Sequence, residues 1–262
     1  MIVRALAGFL LAGAIALAAR KARALSTSGA VAALAVGTGA SIAGWGWAVL
    51  VIVFFVLSSA LSRFRRATRE ARIAGIVEKT DARDGVQVLA NGGVFTLAAL
   101  IGVLTGDHLW AVAALGALAA AAGDTWATEV GTIAGGTPRS IVSLTPLAPG
   151  TSGGITVAGT LASAGGSAMV IAVAHLTGVG ASPGAVFLGG LAGSLADSLA
   201  GATVQERRWC DACDQGTERR VHSCGSPTRV AGGVRGIRND LVNVLCSAVG
   251  AAVAAAVAAM AD

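Results

Sequence analysis

Apolar residues fall in long blocks along this chain, and charged residues gather in the stretches between them. The blocks cover residues 2–19, 28–43, 45–62, 87–105, 109–126, 153–177, 183–204 and 241–260. Each is close to the roughly 20 residues a helix needs to cross a hydrocarbon core, with 28–43 marginal and a candidate re-entrant element. Alternation of Val or Thr is sparse, which argues against a transmembrane barrel. The pattern predicts an all-α polytopic integral membrane protein with about eight transmembrane or re-entrant helices. It forms a single transmembrane domain over 1–262, with polar excursions at 63–86 and 205–240. The first excursion, "RFRRATREARIAGIVEKTDARDG", reads either as a basic amphipathic helix on the membrane surface or as a solvated connector.

Composition agrees with the pattern. Hydrophobic residues make up 55% of the chain and charged residues 13%, against about 25% charged in soluble domains. Mean hydropathy is +0.74, and the 37 glycines suit helices packed closely in lipid. A net charge of +5 is small for a nucleic-acid partner, so no nucleic acid is expected. The placement of the cations is more informative than their sum. Of the 19 Lys and Arg, three lie at 20–23, seven at 63–83, one at 139 and seven at 207–238. With eight helices all four basic loops fall on one side, which the positive-inside rule makes the cytoplasm, with the N-terminus outside. The opening "ALAGFLLAGAIALAA" after Arg4 resembles a secretory signal. The heavier cluster Arg20, Lys21, Arg23 beyond it favours an uncleaved helix.

Four acids border or enter the apolar blocks: Asp124, Glu129, Asp197 and Asp240. A carboxylate there is costly unless it is paired, hydrogen-bonded or hydrated, which makes it a candidate functional group. In "AAGDTWATEVG" (121–131) Asp124 lies four residues before Thr128, and Thr125 four before Glu129, so each acid has a hydroxyl neighbour on a helix. "ADSLAGATVQ" (196–205) repeats the theme with Asp197 and Ser198. Asn91 in "QVLANGG" and Asn239 and Asn243 in "RNDLVN" add amide oxygens on the same predicted side. Such hard oxygen donors suit Mg2+, which is held by one or two carboxylates together with substrate phosphates. An ion or proton path is the competing reading, although it requires acids at several depths.

Two further segments carry chemistry. The Gly150-Thr151-Ser152-Gly153-Gly154 turn is expected to open directly into a helix, where backbone N–H groups would meet an anion. It lacks the spacing and lysine of a Walker A loop. Lys21, Arg139 and Arg238 are candidate cations for the same anion. In "CDACDQGTERRVHSC", Cys210, Cys213, His222 and Cys224 supply four ligands suited to a structural zinc ion. A cytoplasmic location disfavours a disulfide there. Cys246 reads as a buried apolar packing residue, and His108 and His175 as structural groups on the far side.

The motifs "QVLANGG", "GDTWATEVG", "GTSGGIT", "GSLADSLAGATVQ" and "NDLVN", in this order, resemble the transmembrane protein 19 family, which includes plant phytyl-phosphate kinase. "LSTSGAVAALAVG" (25–37) extends the resemblance towards the N-terminus. The resemblance implies a membrane kinase that uses a nucleoside triphosphate, CTP favoured, to convert an isoprenoid monophosphate such as phytyl or geranylgeranyl phosphate to the diphosphate. It maps the family's polar positions onto Asn91, Asp124, Glu129, Gly150 to Gly154, Asp197, Asn239 and Asp240. The cysteine loop belongs to only part of the family and is not expected to be essential to chemistry. A CTP-dependent cytidylyltransferase for a lipid phosphate and a transporter are the alternatives.

Overall fold

The computed structural model describes residues 2–64, 66–73, 75–77, 82–134, 136–180 and 182–261. Among them the long helices are α1 (Ile2–Lys21), α2 (Thr27–Ala43), α3 (Trp45–Arg63), α5 (Gly85–Thr105), α6 (His108–Ile133), α7 (Val157–Leu176), α8 (Pro183–Thr203) and α9 (Asn239–Ala259), with a short α4 (Arg66–Ile73) after α3. Seven of them are long and apolar enough to span a bilayer, and α2, with 17 residues, is shorter. Helix starts follow local chemistry. Ser26 caps α2 by accepting from Gly29 N, and Thr156 caps α7 by accepting from Gly159 N. Asp84 and Gln87 form a reciprocal capping box at α5, satisfying backbone donors that the helix itself leaves open.

Helix α6 is the axis of the fold, packed against α3, α5, α7, α8 and α9. Its stretch from Ala113 to Ala122 is buried throughout, and Leu115 and Leu118 are wholly enclosed. Lipid supplies little hydrophobic drive between helices, so close backbone approach and dispersion must hold them together. At Gly116 an added Cβ would lie 2.5 Å from the Ala254 Cβ, and at Gly193 2.6 Å from the Cys246 carbonyl oxygen. The small residues on α6, α8 and α9 therefore set the helix spacing. Cys246 itself is buried as the sequence led us to expect.

The two ends of the bundle are distinct. At one end the α2–α3 junction meets the end of α7, since Gly46 would place a Cβ 3.2 Å from the Thr177 carbonyl oxygen. Thus α2 runs from one end of the bundle to the other and is not re-entrant. At the opposite end the basic loops meet: Ser26 N donates to Arg83 O (3.0 Å) and Arg83 N to Ala24 O (3.1 Å), which ties the α1–α2 turn to the start of α5. At this end the α6–α7 connection pairs β1 (Arg139–Ser140) with β2 (Gly154–Ile155). The α8–α9 connection folds into a three-stranded antiparallel ribbon of β3 (Arg207–Cys210), β4 (Gln215–Thr217) and β5 (Arg229–Gly232), in the order β4-β3-β5.

Three local expectations are corrected. Helix α6 does not end near residue 126 but continues to Ile133, so Asp124 and Glu129 lie on a continuous helix. The glycine turn does not open directly into a helix, because β2 and the Thr156 cap intervene before Val157. In the 63–85 excursion the helix covers only Arg66–Ile73 and packs on α6, while residues 65, 74 and 78–81 lie outside the described set.

Replacing Gly116 with Leu puts a side chain where α9 now stands. Overpacking of this kind costs about 1–3 kcal/mol or more. We expect a lower melting midpoint and aggregation by fluorescence-detected size-exclusion chromatography, whereas Gly93→Leu, where an added Cβ meets nothing within 4 Å, leaves the profile unchanged.

Candidate functional site

The loop end of the bundle encloses a cavity of about 410 Å³. Residues from every basic loop line it: Arg23 from the α1–α2 turn, Arg63, Arg69, Arg72 and Arg83 from the stretch spanning the end of α3 to α5, Gly150 to Gly154 from the α6–α7 connection, and Gln205 and Glu218 from the α8–α9 connection. Asp124, Thr125, Thr128 and Glu129 reach it from α6, Asp197 and Ser198 from α8, and Asn239 and Asp240 from the first turn of α9. The acids and hydroxyls picked out by sequence thus converge, although they are separated by more than a hundred residues along the chain.

Two walls of opposite character line this space. On the acidic wall the carboxylates of Asp124 and Asp197 lie within interaction range of one another, and Glu218 adds a third negative charge near Asp197. Asp197 Oδ2 is buried and has no hydrogen-bond partner among the described residues. Buried like charges facing one another are unfavourable unless a cation or proton compensates them. Hard oxygens with one atom left unsatisfied fit a divalent cation such as magnesium.

On the basic wall Glu129 is an ion-pair anchor. Its Oε1 accepts from Ser62 Oγ (2.6 Å) and from Arg69 Nη1 (3.2 Å). Arg83 donates to Ser59 Oγ (2.9 Å) and Ser62 Oγ (3.3 Å). Burial lowers the proton affinity of Arg83, and the nearby Glu129 carboxylate opposes that shift. Arg72 Nη1 reaches the Thr132 carbonyl (3.0 Å), which fixes α4 against the end of α6. Arg69 Nε and Glu129 Oε2 are buried without hydrogen-bond partners among the described residues. Guanidinium groups with donors to spare, aimed into a polar cavity, are suited to phosphate.

The glycine turn closes the third side. Gly150 and Gly153 have φ of +84° and +80°, in the left-handed region that glycine occupies without strain. At Gly153 a Cβ would lie 2.5 Å from the Ala202 Cβ, so the turn's backbone rests directly on the end of α8. Ser152 Oγ donates to Glu218, which also accepts from Gln205 Nε2 (2.9 Å). The turn is therefore joined to the cysteine ribbon through a carboxylate.

Not every candidate arrives. Asn91 lies outside this cavity, lining a smaller apolar one of about 90 Å³ between α1, α2, α3 and α5, and its Nδ2 donates to Gln87 O (3.1 Å). Arg83, Gln87 and Thr125 line both spaces. Asn243 is buried one turn deeper on α9 and does not line the cavity. Lys21, Arg139 and Arg238 do not line it either, and Arg139 instead donates to Leu144 O (2.9 Å). Among the described residues, the cations lining the site are Arg23, Arg63, Arg69, Arg72 and Arg83, which sequence reasoning passed over as loop charges. Glu218 was likewise hidden among polar loop residues.

Beside the cavity, Cys210, Cys213, His222 and Cys224 each place a ligand atom within 4.8 Å of all the others. The four cysteines are free thiols. Hydrogen bonds from Ser226 and then His222 draw the Cys224 thiol down to about 5, while its hydrogen bond to Cys224 pushes the Cys213 thiol up to about 11.

The comparisons with known proteins agree with this architecture. Residues 10–251 match the model of the family described as integral membrane protein DUF92. The chain is 30% identical over 227 residues to Protein PGR of Arabidopsis thaliana, covering 75% of this chain and 77% of that one. It is 31% identical over 166 residues to an uncharacterized membrane protein of Methanocaldococcus jannaschii, covering 61% of this chain and 65% of that one. It is also 33% identical over 168 residues to one of Synechocystis, with 61% and 63% covered. No solved structure matches significantly. A match across nearly the whole chain, with ordered polar motifs converging on one cavity, identifies this protein as a member of the DUF92 integral membrane family, the membership that the motifs led us to expect.

Proposed function

We propose that this protein is a phosphotransferase of the cytoplasmic membrane face, which moves the terminal phosphate of a nucleoside triphosphate, CTP favoured, onto an isoprenoid monophosphate such as phytyl or geranylgeranyl phosphate. The observation that carries this reading is the single cavity lined both by the Asp124–Asp197 carboxylate pair and by the half-buried guanidinium groups of Arg69 and Arg83. One wall is suited to a metal-bound polyphosphate and the other to a phosphate monoester. The narrow apolar space that shares Arg83, Gln87 and Thr125 with the cavity gives an amphiphile a route for its hydrocarbon chain, with its headgroup at the guanidinium.

In this reading Asp124 and Asp197, with Asp240 beside them, would hold the divalent cation. Magnesium, when bound there, neutralises charge on the donor phosphates. Arg83 and Arg69 orient the acceptor, and the Gly150–Gly154 turn lies against the donor. An acceptor phosphate oxygen attacks the terminal phosphorus of the donor. The bond from that phosphorus to the bridging oxygen breaks, the nucleoside diphosphate departs with the electron pair, and the acceptor becomes a diphosphate. A phosphate monoester is already ionised near neutral pH, so no general base is required and alignment with charge neutralisation suffices. A transport path is disfavoured by the α6 segment from Ala113 to Ala122, whose buried small and aliphatic side chains fill the bundle beyond the cavity.

The test is purified protein in detergent with CTP, Mg2+ and phytyl or geranylgeranyl phosphate. Release of CDP together with a prenyl diphosphate supports the kinase; release of pyrophosphate with a cytidylylated lipid would instead indicate nucleotidyl transfer; no turnover with any nucleoside triphosphate would overturn both. Asp197→Asn should lower kcat by about 100-fold or more while the elution profile stays intact. Arg83→Gln removes charge-assisted hydrogen bonds and should raise the KM for the prenyl phosphate about tenfold, with a smaller effect on CTP.

A further inference from the structure

The ribbon between α8 and α9 is more than a peripheral excursion. Its strand β4 runs directly into the cavity wall: Thr217 Oγ1 donates to Gly75 O (2.6 Å), Glu218 N to Ile76 O (2.8 Å) and Arg219 Nε to Val77 O (2.8 Å). Three successive residues of the ribbon thereby grip three successive residues just beyond α4, the helix that carries Arg69 and Arg72. The middle residue of the three, Glu218, turns its carboxylate into the cavity, where Ser152 and Gln205 donate to it.

The grip is centred on the four-ligand cluster. Cys210 ends β3, Cys213 lies in the β3–β4 turn, and His222 and Cys224 follow β4. The Cys210 and Cys224 sulfurs are 3.7 Å apart. A tetrahedral zinc with Zn–S bonds of about 2.3 Å sets sulfur–sulfur edges of about 3.8 Å, so the thiols already stand at ligand spacing. His222 Nδ1 lies 3.3 Å from the Cys224 sulfur and faces the cluster. The other side of its ring rests on Gly75, where a Cβ would sit 2.8 Å from Nε2. Gly75 has φ of +81° and needs no side chain, so the imidazole can lie flush on the gripped segment. His222 thus touches both the cluster and residue 75.

From this arrangement we propose that Cys210, Cys213, His222 and Cys224 hold a zinc ion that acts as a latch, fixing the ribbon against residues 75–77 and so holding Glu218 in the wall of the cavity. The three β-strands of the ribbon are only 4, 3 and 4 residues long. So small a sheet has little core of its own and depends on a staple of this kind. The zinc is structural, because four protein ligands leave it no open position. Glu218 is a positioning residue through its bonds to the Ser152 turn and Gln205. The latch does not depend on which reaction the cavity performs.

Two readouts on the full chain in detergent, neither requiring turnover, test it. Metal analysis of the purified protein should give one zinc per chain, and Cys213→Ser should lose it. Hydrogen exchange should then show the amide of Glu218, bonded to Ile76, exchanging at least tenfold faster, with α5 to α9 still protected. Stripping the wild-type protein with a zinc chelator should reproduce that pattern and covers the case in which Cys213→Ser fails to fold. Glu218→Gln leaves all four ligands in place and should retain zinc. Absence of zinc from the wild-type protein, or zinc loss with unchanged exchange at residues 215–219, would overturn the latch.

Discussion

Placing two carboxylates side by side inside a helical membrane bundle is costly, and the loop end of this protein is organised around that cost. Asp124 and Asp197 sit on the neighbouring helices α6 and α8, and Glu218 adds a third negative charge near Asp197. Neither helix can turn its acid away, because α6 and α8 are locked by small-residue contacts that fix their rotation. The compensation must come from within the cavity. The same cavity is lined by the guanidinium groups of Arg69 and Arg83, the former shared with Glu129. A divalent cation with phosphates between these groups is the occupant proposed above, and it would compensate both the acids and the guanidinium groups.

The same small residues that bring the backbones together make the site possible. Gly193 and Gly201 on α8, Gly153 in the turn and Gly116 on α6 each lie where a larger side chain would collide with a neighbouring element. Close packing at the middle of the bundle seals it, and close packing at its end lets the glycine turn and the ribbon press onto the helix termini. The cavity is therefore bounded on one side by a solid core and on the others by loops fastened through hydrogen bonds. Structure and chemistry are tied through residues such as Ser62, which packs within α3 and still donates to Glu129.

Much of this was legible beforehand, and the reasons differ from residue to residue. Apolar block length gave the eight long helices, because a bilayer imposes length on sequence directly. Asp124, Asp197 and Asp240 stood out because acids are rare in such blocks. Glu129 stood out equally, but its ion pair with Arg69 could not be foreseen, since the partner lies 60 residues away in a basic loop. Among seven cations in one stretch, sequence offers no means of telling Arg83, which points inward, from one facing solvent. Lys21 and Arg139 were named as candidate cations that sequence could not rank, and neither lines the cavity, Arg139 donating instead to the Leu144 carbonyl. The helix expected after the glycine turn failed for a local reason: Thr156, not the turn, supplies the cap, and β2 pairs with β1 first. Glu218 was masked by the cysteines around it, whose spacing drew attention to metal and away from the acid between them.

The central claim is that the Asp124–Asp197 pair is a divalent-cation site. Titrating the purified protein with Mn2+ in the presence of CTP, followed by electron paramagnetic resonance of the free ion, tests it directly. The account predicts one strongly bound ion per chain, lost when both acids are replaced with asparagine in a protein that still elutes as a folded species. Undiminished binding in that double variant would contradict it.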